Sequence, residues 1–124
     1  MSTNSPHSLE AEEFLLSSCL IDGAEVVSRC NAANIRPASF YDPKHAIAFD
    51  CLQGLHKRGE PISTSVLAVE LEKSGQLQKV GGYPFILQIS NRVPTTAQTS
   101  YFIATVKDHE IRRSLIRWAQ MTIE

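Results

Sequence analysis

Apolar positions recur along this chain at helical spacing almost from end to end. In SLEAEEFLLSSCLI, residues 8–21, Ala11, Leu15 and Cys19 share one side, with Leu16 and Leu20 beside them. Ser8 precedes the run as a helix cap, and Glu10, Glu12 and Glu13 suit the positive end of the helix dipole. A short second helix is expected over residues 23–33, followed by an irregular link through Arg36-Pro37. Asp42-Pro43 then reads as a cap followed by a first-turn proline. The helix it opens carries Ala48, Leu52 and Leu55 as a stripe flanked by Phe49 and Cys51, and ends at Gly59 and Pro61. Ser63 caps a helix that runs towards Gly75, and Gly81-Gly82 break the chain before a short helix around PFILQISN, closed by Val93-Pro94.

The last segment predicts a long helix capped by Thr95 or Thr96 and continuing to Glu124. Ala97, Tyr101, Ala104, Ile111, Leu115 and Trp118 recur along it at steps of four and three, with Asp108 interrupting once. That is the spacing of a seam between paired helices. No alternating strand of useful length and no internal repeat occurs. The expected fold is all-α: a polar, disordered tail over residues 1–7, a compact multi-helix head over 8–94, and a long helix over 95–124. The last helix carries no C-cap signal, which suggests a truncated element rather than a natural end.

Composition narrows the function classes. The chain has 124 residues, 43% hydrophobic and 20% charged, which is ordinary globular usage. Twelve basic and thirteen acidic residues leave a net charge of −1, so coating a phosphate backbone is disfavoured as a primary role. Cys19, Cys30 and Cys51 form no Cys-x-x-Cys pair, and free buried thiols in a reducing cytoplasm are expected. No secretory leader and no membrane-length apolar run is present, so a cytoplasmic protein without membrane contact is expected.

Candidate chemistry is sparse. Asp42 and His45 stand three residues apart at a helix start, where they can hydrogen-bond, yet no nucleophile or substrate-binding motif accompanies them. The simpler reading makes Asp42, Pro43 and His45 a helix-start motif, with His45 packed on Phe40-Tyr41. His45 and His56 share an azimuth but lie about 16 Å apart along the axis, too far for one metal ion. No phosphate-loop signature occurs, so no catalytic, metal or cofactor site is expected. The strongest functional signal is the last helix, where Lys107, Arg112, Arg113 and Arg117 stand among Ile111, Leu115, Ile116 and Trp118. Acidic neighbours leave that region at a charge of about +1, so protein contact is favoured over DNA. Tyr101, Ile111, Arg112, Arg113, Leu115, Arg117 and Trp118 are the candidate interface residues.

The order of these features resembles the N-terminal domain of DnaB-type replicative DNA helicases over about residues 6–120. The landmarks are Glu10-Ala11-Glu12, Phe40-Tyr41-Asp42 with His45, Gly59-Glu60-Pro61, Leu71-Glu72, Gly81-Gly82, Val93-Pro94 and Arg112-Arg113, seven in the family's order. The chain departs from the usual pattern at Ser17, where a Gly is common, at Ser63 for Asp and at Gln98 for Asn. The resemblance implies a compact helical head followed by a helical hairpin, of which the last helix is the first arm with its partner arm cut away. It implies a non-catalytic domain that self-associates in a hexameric collar and helps to dock primase and a helicase loader. DNA is then met only through the full-length ring. ATP and magnesium are implied only for a RecA-like ATPase domain that is absent from this sequence. The alternative is a stand-alone helical adaptor or loader-like protein-binding module.

Overall fold

A computed structural model describes residues 7–123. Of the expected tail, residues 1–6 lie outside the described residues, while His7 stacks on the Tyr41 ring at 3.9 Å between centroids. Six α-helices follow: α1 (Leu9–Ile21), α2 (Gly23–Ala32), α3 (Pro43–Lys57), α4 (Thr64–Lys73), α5 (Tyr83–Ser90) and α6 (Thr99–Ile123). Short 3₁₀ turns occupy Pro37–Ser39 and Gln78–Val80, and no strand occurs among the described residues.

The helix starts follow from local hydrogen bonding. Ser8 accepts from the Ala11 amide, Asp42 from the Lys44 amide and Ser63 from the Val66 amide, each satisfying a donor that a first turn leaves unpaired. After α3, Gly59 takes a left-handed conformation at φ +72°, and the Glu60 amide reaches back to the Leu55 carbonyl. Gly23 serves differently. A Cβ there would stand 2.4 Å from the Ile62 Cβ, so the start of α2 needs glycine in order to touch the loop before α4.

α1 is the central helix, packed against α2, α3, α5 and α6. Leu15, Leu16 and Cys19 meet Val26, Val27 and Cys30 of α2, Phe49 and Leu52 of α3, and Ile86 and Ile89 of α5 in one core. Ser17, on the same helix, is fully buried, and its hydroxyl accepts the Arg92 and Val93 amides. The position where a glycine is common thus carries a hydroxyl that anchors the Val93-Pro94 segment.

α6 starts at Thr99, later than the threonine caps predict. Thr95 accepts from the Ala97 amide, and the Thr96 carbonyl accepts both the Thr99 amide and its hydroxyl. These side chains hold a turn in place of a helical ladder. The first half of α6 packs on the head through Phe102, Ile103 and Val106. The Phe102 ring lies 5.2 Å from that of Phe14.

Candidate interaction surface

Around α6 the side chains divide into two opposed faces. Phe102, Ile103, Val106, Glu110 and Arg113 are buried against the head. Tyr101 (71% exposed), Ile111, Leu115 (57%) and Trp118 stand on the other side, with Ile116 and Met121 exposed near them. The apolar seam read from the sequence is therefore open to solvent, and a different face of the helix holds it to the head. Contiguous exposed apolar residues of this size mark contact surfaces.

The basic residues separate accordingly. Arg112 lies on the exposed side and pairs with Asp108 at 2.9 Å, one helical turn back. Arg117 is exposed and donates to the Ser114 hydroxyl. Arg113 does not join them, which corrects its place among the candidate interface residues. It is buried, donates to the Ser39 carbonyl at 2.9 Å and lies over the Tyr41 ring. Neighbouring arginines lie 100° apart on a helix, so the pair Arg112-Arg113 cannot serve one face.

Beside Arg113, Glu110 is 7% exposed and gathers a polar clamp. It accepts from the Ser39 hydroxyl at 2.6 Å, from Lys107 at 2.9 Å and from the Arg36 guanidinium. Burial pushes the Glu110 carboxyl upward, but these hydrogen bonds from Ser39, Lys107 and Arg36 outweigh it and hold the group below the ordinary glutamate value. Arg36 and Ser39 belong to the link between α2 and α3, so this irregular segment grips α6.

A second buried centre lies at the start of α3. Glu12, 2% exposed, accepts the Tyr41 amide at 2.6 Å and the Asp42 amide at 3.3 Å. His45, 1% exposed, places Nδ1 2.7 Å from Glu12 and Nε2 3.7 Å from Glu13. Asp42 does cap the helix, with Pro43 in its first turn. His45, however, turns away from Asp42 towards the carboxylates of α1, and the Phe85 ring stacks 6.0 Å from it. Where packing on Phe40-Tyr41 is expected from the sequence, the ring is held by this pairing, because the buried carboxylate of Glu12 requires donors. Phe40 packs on Phe49 instead. Glu13 also accepts from Gln88 and faces Arg92.

Glu12 was legible only as a first-turn acid. Its spacing to Leu16 and Cys19 already places it on the apolar side, and that was the available signal. Glu110 likewise follows Phe102 and Val106 at spacings of four. The thiols are free. Contact with the Cys30 thiol and complete burial raise Cys19 well above the ordinary range, and burial pushes half-buried Cys51 up to about 11. Neither is a thiolate at neutral pH. No group of three His, Cys, Asp or Glu among the described residues is arranged to hold a metal ion.

Fold and surface together define an all-helical head carrying a long helix with an exposed apolar seam. Residues 4–108 match the family described as the DnaB-like helicase N-terminal domain, and the chain belongs to that family. It is 32% identical over 114 residues to the replicative DNA helicase DnaB of Geobacillus stearothermophilus, covering 92% of this chain and 25% of that protein. The replicative DNA helicase DnaB of Mycobacterium leprae (strain TN) is also 32% identical over 114 residues, covering 90% of this chain and 18% of that one. The crystal structure of the N-terminal domain of DnaB helicase from Mycobacterium tuberculosis superposes with a TM-score of 0.90 at 28% identity, over 97% of this chain and 86% of that chain. The chain thus spans a quarter or less of the length of these two curated relatives.

Proposed function

We propose that this chain is a non-catalytic assembly and interaction domain of a replicative DNA helicase, acting in the cytoplasm. The exposed seam of α6 pairs with another helix when the helicase collar assembles, and the surface it builds helps to dock primase. ATP hydrolysis with magnesium, and movement along DNA, belong to another part of the full-length protein. The observation that carries this reading is the division of α6: Ile111, Leu115 and Trp118 are exposed at seam spacing while the opposite face is committed to the head. The named relatives, all replicative helicases, support the setting.

The test uses the full-length gene product with Leu115→Ala and Trp118→Ala together. Sedimentation is expected to show a loss of assembly or of primase binding, with the melting temperature of the head unchanged. Unaltered sedimentation and an unaltered primase titration would remove the seam from the assembly. Reading the gene beyond the codon for Glu124 separates the helicase setting from a stand-alone adaptor.

A further inference from the structure

Beside the seam, α6 and the C-terminal half of α2 enclose an open groove of about 490 Å³. It shares only Ala104 with the seam, so its role does not depend on how the seam is used. Its floor is small and apolar: Ala32 at the end of α2 with Ala33 just after it, and Ile103 and Ala104 from α6. A cleft of this size lies within the range that takes up large side chains or ligands, about 300–1,000 Å³. Small residues on both walls leave room for side chains from an incoming element.

The charges around this floor are one-sided. Arg29 lines the groove and donates to the Ser100 hydroxyl, and it makes no ion pair among the described residues. Lys107, also lining it, donates to the Asn34 carbonyl and to Glu110. Glu110 is already shared with Arg36. Two cations and no carboxylate therefore line the groove, which carries positive charge over an apolar floor.

We propose that this groove seats an acidic amphipathic helix from a partner protein. Its apolar side chains lie on Ala32, Ala33, Ile103 and Ala104, and its carboxylates meet Arg29 and Lys107. A nucleic acid would be drawn by the same charge, but the lining offers no aromatic ring on which a base could stack. An apolar floor rewards apolar side chains, and complementary charge sets their register.

The probe is a fluorescein-labelled, helix-forming peptide of about 15 residues, with Leu and Phe four apart and Glu flanking them. It is titrated with the 124-residue chain by fluorescence anisotropy. Saturable binding is expected, weakened about tenfold when every peptide Glu is replaced by Gln, and by a similar factor in Arg29→Glu. Ala32→Trp, which fills the groove, is expected to weaken it as strongly, while Lys79→Glu on the Gln78–Val80 turn leaves it unchanged. Circular dichroism melts establish that each variant is folded, and Arg29→Glu alone decides the matter if Ala32→Trp does not fold. No saturable binding, equal affinity for the Gln peptide, or indifference to Arg29→Glu would overturn the proposal. Displacement of the peptide by oligothymidine would overturn it too, assigning the groove to phosphates.

Discussion

His45 shows how one side chain changes meaning between sequence and structure. In the chain it stands beside Asp42, three residues away. In the fold its ring lies between Glu12 and Glu13 of α1, 33 and 32 positions back. Removing it leaves buried Glu12 without its ring partner, so His45→Ala is expected to cost about 3 kcal/mol, read from denaturant unfolding. A loss under about 1 kcal/mol would mean that water or the backbone amides of Tyr41 and Asp42 can replace the ring. Glu110 gives a pH signature of known sign. Its carboxyl is held below its ordinary value, so its contribution is complete above the unfolded glutamate value and fades as pH falls through the lower folded one. Glu110→Gln is therefore expected to flatten the acid limb of a stability–pH curve, checked by melts between neutral and acidic pH. His109 is a separate case: its Nδ1 is buried without a hydrogen-bond partner among the described residues. His109→Phe is expected to leave the protein equally stable or to stabilise it by about 1 kcal/mol, measured by the same melts.

At the scale of helices, the sequence was informative wherever a boundary is made locally. Ser8, Asp42 and Ser63 each cap the helix their spacing announces, and the apolar stripes of α1 and α3 are the faces that enter the core. It was less informative where the reason is tertiary. Gly23 reads only as the first residue of the second helix, yet it is required by Ile62, 39 positions later in the sequence and against it in space. Gly23→Ala is expected to cost about 1–3 kcal/mol through that clash, and less in an Ile62→Gly background, which alone removes the Cβ that the new side chain meets. Equal costs in the two backgrounds would separate Gly23 from Ile62. The delayed start of α6 was hidden for a related reason. Thr95 and Thr96 are good caps in isolation, but here their hydroxyl and carbonyl groups are engaged in a turn.

For the whole molecule, the seam of α6 was legible as a periodicity, while the face that docks α6 was not. Its buried positions mix Phe102, Ile103 and Val106 with Glu110 and Arg113, and charged residues mask an apolar pattern. Only the arrival of Arg36 and Ser39 from the link makes those charges admissible in a buried contact. The fold class and the family landmarks survive such gaps because they rest on many caps and stripes at once. Weakening the clamp by Glu110→Gln or Arg113→Ala is expected to loosen α6 from the head while α1 to α5 keep their core. A cooperative melt that loses nothing in either variant would place the docking energy in Phe102, Ile103 and Val106 instead.

The clamp ends at Arg113, and every residue from Ser114 to Met121 is exposed. Amide hydrogens along α6 should therefore exchange with solvent on a gradient. Those near Val106 open only with the head, whereas those near Met121 open by fraying of the helix alone. Five and eight residues at 1.5 Å each carry Trp118 and Met121 roughly 8 and 12 Å past Arg113 along the axis, so a tilt of a few degrees at the clamp displaces this end by less than about 1 Å. A partner helix laid along the seam would abolish the gradient, and slowed exchange between Leu115 and Met121 would report its arrival before any change in the head.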